Sequence, residues 1–290
     1  MKNRNQNKGF TLVELLVVMA IIALLLGLLL PALAKARATA RQVKSATQLN
    51  QIHKGFLIFS TNDNDIFPTP GRLNRCGTTP GKGPEDESVN SHANLYGACI
   101  SGEFFTPQLL VDPSEASGNV AIASTYDIER YSPPADVYWD DQDFSRFKAD
   151  LEGTCNTSYA TMLLYGNRKP RQWKKSMDSK YAVVGNRGVE DSSLNEQDYL
   201  GSKTLLIHGS RKEWIGNICY NDNHVALSRT FAPDSLAQIN SNGTVVDDTL
   251  FAEDVDLDGE GEDVFLTMSD TGSATGNCGP FLWEASLSWD

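Results

Sequence analysis

The sequence predicts an α+β fold, in which one long N-terminal α-helix packs on an antiparallel β-sheet with long loops. Two patterns support this prediction. Residues 10–62 form a nearly continuous run of helix-forming residues, whereas the later residues alternate short apolar segments with Gly, Pro, Asn and Asp. We therefore expect three regions: a basic leader at residues 1–9, the helix at residues 10–62 and a globular head at residues 63–290.

The first half of the predicted helix is apolar enough to cross a membrane. Residues 15–30 contain no polar side chain, and residues 10–30 as a helix would span about 30 Å, the thickness of a bilayer core. Basic residues precede this run and an acidic body follows it, which favours a cytoplasmic N-terminus and an exported body. Glu14 lies inside the run and indicates a functional contact, because a carboxylate at membrane depth is costly.

The second half of the helix is predicted to pack on the head. Pro31 removes one backbone hydrogen bond and should kink the helix or open it locally. Helix breakers at residues 62–65 and 68–71 predict an end near Ser60. Apolar residues recur every three or four positions, which predicts one buried face. They are Ala36, Ala40, Val43, Ala46, Leu49, Ile52, Phe56 and Phe59.

Short strands are predicted in the head, because several segments rich in β-branched, aromatic or other apolar residues are bounded by turn residues. The candidates are residues 159–164, 181–184, 204–207, 215–220 and 225–227. Residues 80–94 are polar and rich in Gly and Pro, which predicts an exposed loop.

Charge is unevenly distributed along the chain. Residues 1–55 hold eight of the 25 Lys and Arg residues and one of the 37 Asp and Glu residues, so their net charge is +7, against −19 for residues 56–290. We expect no nucleic-acid partner, because so acidic a body repels nucleic acid.

The five cysteines are widely spaced and include no C-x-x-C pair of the kind found in zinc and redox sites. Export would permit disulfides. Two interpretations stay open: two bridges with one free thiol, or small buried residues that are not bridged. The cysteines are Cys76, Cys99, Cys155, Cys219 and Cys278.

The most acidic segment, residues 247–263, has nine carboxylates in 17 positions and predicts either a calcium loop or a solvated surface loop. Alternating carboxylates before Gly259 match the D-x-D-x-D-G arrangement that wraps oxygen ligands around Ca²⁺. Phe265 stands where a helix-loop-helix site needs its last Glu, so only a shorter type of calcium loop fits. The candidate ligands are Asp254, Asp256, Asp258, Glu260 and Glu262.

The segment GFTLVELL, which follows the basic leader, closely resembles the N-terminus of type IV prepilins and type II secretion pseudopilins. The resemblance implies that a prepilin peptidase cleaves between Gly9 and Phe10 and methylates the new amine of Phe10. It also makes Glu14 the fifth mature residue, where the family has its glutamate, and Pro31 the helix-bending proline. An unpaired amine and an unpaired Glu14 are both costly in a membrane, so we expect them to pair between neighbouring subunits.

This resemblance implies a structural pilin-like or pseudopilin-like subunit and not an enzyme. Its implied partners are the prepilin peptidase, other pilin or pseudopilin subunits, an inner-membrane assembly platform and membrane lipid. The implied location is the bacterial inner membrane, single-pass with a periplasmic head, and then a periplasmic or cell-surface filament. The alternatives are a tip adhesin or ligand-binding subunit, an exported enzyme tethered by the same anchor, and an ordinary signal peptide cleaved near residues 32–34.

In the head, residues 208–227 resemble a motif of one large-headed branch of these proteins, carried by His208, Asn217, Asp222 and His224. The D-x-H step from Asp222 to His224 predicts either a metal or general-base site, or a turn that Asp222 closes with His224 as an ordinary strand residue.

Two residues depart from the pattern of that branch. Asn223 replaces the glycine of the turn, and a tight hairpin is still expected because Asn tolerates the left-handed conformation. Asp112 stands within residues 109–117 where members of the branch often have cysteine, which leaves the usual cysteine pairing open.

Overall fold

The protein has an α+β layout, as predicted: a long N-terminal helix and a four-stranded antiparallel sheet. The computed structural model describes residues 11–166, 168–195, 200–236, 239–241, 244–246, 249–251 and 266–270. The chain divides into two compact units, Met1–Arg41 and Gln42–Asp290. The last part of the helix therefore folds with the head. The predicted division into residues 1–9, 10–62 and 63–290 stays a prediction.

The elements of the described residues follow one another along the chain. The α-helices are α1 (Leu12–Ser60), α2 (Pro70–Leu73), α3 (His92–Ser101) and α4 (Lys169–Gln172). The strands are β1 (Tyr159–Thr161), β2 (Ala182–Asn186), β3 (Gly216–Tyr220), β4 (Val225–Ser228), β5 (Ile239–Ser241) and β6 (Thr244–Val246). Short 3₁₀ helices cover Glu87–Val89, Pro107–Leu110, Ile128–Arg130, Pro133–Ala135, Glu190–Ser192 and Thr204–Leu206.

Helix α1 continues through Pro31 and ends at Ser60, the predicted end. The chain leaves the helix through Asn64 and Asp65, whose φ angles are 52° and 59°. The amide of Asp65 donates to the carbonyl of Ser60 at 3.0 Å. Asn and Asp enter the left-handed region more readily than other residues with a Cβ, so this sequence closes the helix end.

The buried face of α1 differs from the predicted one. Leu49, Ile52 and Phe56 are fully buried, as predicted, but Val43 is 61% exposed, so its predicted packing on the head is wrong. Val43 precedes Ile52 by nine residues, and at about 100° per residue the two side chains lie on opposite sides of the helix. Ala36 and Ala40 are exposed as well.

Polar residues complete the buried face of α1. Ser45, Gln48 and His53 are buried between the apolar positions. Gly55 is buried too, and a Cβ there would lie 2.7 Å from Cδ1 of Phe105. Glycine costs helix stability in general, but at this position it lets the Phe105 ring approach the helix.

The sheet has the strand order β1-β2-β3-β4, and each neighbouring pair is antiparallel. Four of the five predicted strands are found in part or in full. The predicted strand at residues 204–207 is wrong, since Thr204–Leu206 is a 3₁₀ helix. So short an apolar run has no periodicity that separates a strand from a helical turn.

The exposed loop predicted at residues 80–94 is wrong at its C-terminal end. The hydroxyl of Ser91 accepts from the amide of Asn94 and caps α3, which buries nearly all of its residues. Ser caps helices because its oxygen satisfies one of the free amides of the first turn.

The sheet carries a hydrophobic cluster on each face. Side chains of β3 alternate between the faces: Cys219 belongs to the cluster that contains Ile52 and Phe56 of α1, and Ile218 and Tyr220 belong to the other. This alternation is the period of two expected of a strand buried on both faces. The sheet is therefore covered by α1 on one side and by irregular segments of the head on the other.

Candidate functional site

The N-terminus of α1 holds Glu14 in a capping box with Thr11. The amide of Thr11 donates to Oε2 of Glu14 at 2.9 Å, and the Thr11 hydroxyl donates to the same oxygen at 2.7 Å. The amide of Glu14 lies 3.3 Å from the Thr11 hydroxyl. This reciprocal pairing satisfies two groups that a helix N-terminus leaves free. The sequence signal for this capping box is the T-x-x-E spacing of residues 11–14 before an apolar run.

The first half of α1 is exposed along its whole length. Every side chain of residues 11–41 is exposed, including large apolar ones such as Leu12, Leu24 and Leu28. Among the described residues, α1 is long and apolar enough to cross a membrane. An exposed apolar surface of this size marks a membrane or protein contact. Gly9 and Phe10 lie outside the described residues, so the predicted cleavage point stays a prediction.

In the head, Asp112 is the centre of a buried polar network. Its carboxylate accepts from the amide of Ser114 at 2.7 Å and from Nδ2 of Asn186 at 2.9 Å. Nε2 of His208 lies 3.2 Å away and the Tyr159 hydroxyl 3.4 Å away. Asp112 is therefore a buried, hydrogen-bonded carboxylate, and His208 is one of its partners.

A second buried carboxylate lies beside this network. Glu115 forms a two-pronged ion pair with Arg187, with distances of 2.5 and 2.9 Å. It also accepts from the Ser158 hydroxyl at 2.6 Å, and Ser158 accepts from the amide of Asp112 at 2.9 Å. Nε of Arg187 donates to Thr204 at 2.8 Å. Ser158 thus joins the carboxylate of Glu115 to the backbone of Asp112.

Both carboxylates are held in their charged form. Burial alone would raise the pKa of Asp112, but the hydrogen bond and charge of His208 bring it below its usual value. Burial also opposes ionisation of Glu115, and the hydrogen bonds and charge of Arg187 lower the pKa of Glu115. Removal of one partner would leave a buried charge uncompensated, which strongly destabilises a fold. The network therefore stabilises the head only when all of its members are present.

This network reaches α1 through Tyr159 of β1. The Tyr159 hydroxyl lies 3.0 Å from Oε1 of Gln48 and 3.4 Å from Oγ of Ser45. Nε2 of Gln48 donates to the carbonyls of Gln108 and Val111. Gln48 and Ser45 gave no signal in the sequence, because polar residues on a helix usually face solvent.

The β3–β4 hairpin has the predicted tight turn. The carboxylate of Asp222 accepts from the amide of His224 at 3.1 Å and contacts Nδ1 of the same residue at 2.5 Å. Asn223 has a φ of 70°, so it takes the left-handed place of the glycine. The His224 ring stacks on Tyr220 at 4.5 Å. This geometry matches the interpretation in which Asp222 closes a turn.

Asn223 and Asn217 join this hairpin to α1. Nδ2 of Asn50 donates to the carbonyl of Asn223 at 2.9 Å, and Nδ1 of His53 lies 3.0 Å from its side-chain oxygen. Nδ2 of Asn217 donates to the carbonyl of Gln42 at 3.1 Å. The motif residues therefore lie in separate places: His208 at Asp112, Asn217 at the helix backbone, and Asp222 with His224 at the turn.

Two histidines, His53 of α1 and His92 of α3, are buried and neutral near pH 7. Burial lowers the pKa of His53 to about 4, although the hydrogen bond to Asn223 acts against it. Burial likewise lowers the pKa of His92 to about 4. Nδ1 of His92 lies 2.9 Å from Oγ of Ser269 and Nε2 lies 3.2 Å from the carbonyl of Met162. Both rings act as structural groups in the neutral form.

Three thiols are free and buried: Cys99, Cys155 and Cys219. Burial raises the pKa of Cys155 to about 12, and it raises the pKa values of the other two thiols further. Thiols of this kind are inert at neutral pH. Cys76 is in a disulfide, and Cys278 lies outside the described residues. The interpretation with two bridges is wrong, because three of five cysteines are free.

An open cleft of about 570 Å³ lies beside the end of α1. The rings of Phe59 and Phe104 meet at 5.6 Å on its wall, and Tyr131 is 43% exposed. Arg72 donates two hydrogen bonds to Asp63, at 3.0 and 3.1 Å. This cleft could not be predicted from the sequence, because its residues come from four separate segments.

The described residues contain no group of three His, Cys, Asp or Glu side chains that could hold a metal ion. The candidate calcium ligands all lie outside those residues, so calcium binding stays a prediction. They are Asp254, Asp256, Asp258, Glu260 and Glu262.

Comparison with known proteins identifies the N-terminal segment. Residues 4–30 match the family model of the prokaryotic N-terminal methylation motif, and no curated protein or solved structure matches the chain. The matched residues include Glu14, which the capping box holds, and most of the exposed apolar run of α1. The chain therefore carries the N-terminal signature of type IV pilins and pseudopilins.

Proposed function

We propose that the chain is a structural subunit of a type II secretion or type IV pilus filament. The observation that supports this most strongly is the position of Glu14, a carboxylate at the start of an exposed apolar helix that matches the methylation motif. In this proposal a prepilin peptidase cleaves between Gly9 and Phe10 and methylates Phe10. The subunit then waits in the inner membrane with its head in the periplasm, until an assembly platform adds it to a filament.

Glu14 has two successive partners in this mechanism. Before assembly, Thr11 of the same chain satisfies its carboxylate. In the filament, the amine of Phe10 from a neighbouring subunit takes over as the ionic partner, because two opposite charges in apolar surroundings attract far more strongly than in water. The charge pair fixes the axial position of each new subunit.

Contacts between residues 42–60 of α1 and the sheet join this part of the helix to the head. Asn217, Asn223 and Tyr159 each hold a different part of residues 42–50 of α1 through hydrogen bonds. The head is therefore carried as a rigid extension of residues 42–60. Such a connection suits a subunit whose helix assembles and whose head forms the filament surface.

Replacement of Glu14 by Val tests this function. The variant should enter the membrane normally, since removal of a charge favours insertion. It should fail or slow at assembly, because the incoming amine loses its partner. Leu16→Val in the same apolar run is the matched control and should assemble normally. Normal incorporation of Glu14→Val into filaments, measured beside membrane fractionation, would contradict the role of Glu14.

A ligand-binding subunit at the filament tip is the second candidate, favoured by the cleft between Phe59, Phe104 and Tyr131. Aromatic walls with a few polar groups are typical of small-molecule sites. Tyr131→Ala should leave filament assembly intact and abolish adhesion if the cleft carries that function. Equal adhesion by the variant and the unmutated protein would count against this candidate.

A further inference from the structure

We propose that Lys35, Arg37 and Arg41, here called the cationic collar, bind the phosphate groups of anionic phospholipids at the membrane surface. The collar lies just beyond the apolar run of α1, on the side of the head. This inference rests on the proposed membrane anchoring. It adds a specific lipid class to the partners of the subunit.

The collar residues have no partner within the described part of the chain. All three side chains are exposed, and no ion pair or hydrogen bond from them to a carboxylate is present among the described residues. α1 contains no acidic residue after Glu14. The three cations of the collar are therefore available to bind an anion of another molecule.

Distance along the helix places the collar at the membrane surface. The apolar run continues through residues 31–34, so Lys35 and Arg41 follow its last residue, Ala34, by one and seven residues and lie about 2 and 10 Å beyond it at 1.5 Å per residue. The headgroup layer extends roughly 5 to 7 Å from the hydrocarbon core. Long Lys and Arg side chains bend toward this layer, so each collar residue can reach a phosphate.

The distribution of the collar around α1 favours lipid over a protein partner. At about 100° per residue, Arg37 lies some 200° from Lys35 and Arg41 some 240° from it. Arg37 and Arg41 therefore lie about 40° apart on one side of the helix, and Lys35 lies on the opposite side. Lipids surround a single membrane helix on every side, whereas a protein would bind one face.

The distribution of charge across the membrane also favours an anionic partner for the collar. Lys and Arg are normally enriched on the cytoplasmic side of a membrane helix, and the proposed orientation places the collar on the other side. Lipid phosphates offset these charges, and attraction to an anionic surface is worth roughly a fivefold change in binding for each cation. The collar would fix the depth of α1 before assembly.

Lipid retention by the full-length protein tests the proposal. The protein is inserted in vesicles of phosphatidylcholine with or without phosphatidylglycerol, checked by flotation, extracted in mild detergent and analysed for bound lipid. We expect enrichment of phosphatidylglycerol at low salt, and its loss at high salt. A variant with all three collar residues changed to Gln should retain at least about tenfold less phosphatidylglycerol than the unmutated protein, because each cation contributes roughly a fivefold change in binding.

The matched control is Lys54→Gln, Lys82→Gln and Lys212→Gln, which removes the same charge from three other exposed positions. This control should keep the enrichment. Equal enrichment in the collar variant, or none in the unmutated protein that floats normally, would overturn the proposal. Collar-dependent association of copies in phosphatidylcholine alone would assign the collar to a protein partner and overturn it too. Failure of the unmutated protein to float would contradict the membrane anchoring itself.

Discussion

The two parts of helix α1 differ in what surrounds them. Residues 11–41 are exposed throughout, and the role of this part follows from its own pattern of apolar and charged residues. Residues 42–60 are partly buried, and their buried face mixes Leu49 and Phe56 with Gln48 and His53. The role of residues 11–41 can be inferred from their own sequence. The buried face of residues 42–60 can be identified only together with the head residues that cover it.

The largest expected effect is on a head that lacks its part of the helix. A fragment of residues 42–290 should fold cooperatively, whereas a fragment of residues 64–290 should not fold. The shorter fragment loses Leu49, Ile52 and Phe56 from the core, and each lost side chain of this size costs about 2 to 5 kcal/mol against a total stability of about 5 to 15 kcal/mol. Urea unfolding of both fragments checks this, and a stable head without residues 42–63 would show that α1 is dispensable.

Next in size is the loss of Asp112. Asp112→Ala in the fragment of residues 42–290 should lower the free energy of unfolding by about 3 kcal/mol, because Asn186 and His208 lose a buried partner. Asp222→Ala should cost below about 1 kcal/mol, because its carboxylate is partly exposed and its bonds are local to the turn. Denaturant titrations measure both values. Similar losses for the two variants would mean that the buried network adds little.

Calcium should stabilise the fragment of residues 42–290 by about 2.7 kcal/mol at a hundredfold excess over Kd, if residues 247–263 enclose an ion. Magnesium should do much less, because its small octahedral shell suits a flexible loop poorly. Asp256→Ala should remove most of the response and Asp222→Ala should not. Identical melting midpoints in EDTA, calcium and magnesium would return residues 247–263 to a solvated loop.

The pH dependence of stability should follow His53 and His92. Each has a pKa of about 4 in the folded protein against 6.5 as a free side chain, so the unfolded chain takes up protons first as the pH falls. Stability should be full above pH 6.5 and fall toward pH 4, by about 2 kcal/mol for each residue at pH 5. Unfolding titrations of His92→Gln should show a shallower pH slope, and an unchanged slope would mean that His92 titrates normally when folded.

The sequence predicted the fold class, the end of α1 and four strand positions, because long periodic runs and turn residues are local signals. It misplaced residues 204–207 and the start of α3, where an apolar run is short or a helix follows a polar loop. It also assigned Val43 to the core. The error arose because repeated steps of three residues each fall about 60° short of a full turn, so Val43 and Ile52 end on opposite sides of the helix.

Some residues of the candidate site could also be predicted from the sequence, and others could not. Glu14 was found because a carboxylate in an apolar run is conspicuous in a sequence. The partners of Asp112 were not found, because Tyr159, Asn186 and His208 come from distant parts of the chain and meet only after folding. The role of Asn223 was half predicted: its turn conformation follows from its residue type, but its contacts with Asn50 and His53 do not.

The most direct test of the proposed function is the mass of the mature chain. The protein should be produced with its cognate prepilin peptidase, extracted from membranes and measured by intact-mass spectrometry. We predict the loss of residues 1–9 and one added methyl group on Phe10, and an uncut precursor when Gly9 is replaced by a bulky residue. A mature chain that begins near Ala34, or an uncut chain with the peptidase present, would contradict a pilin-like subunit.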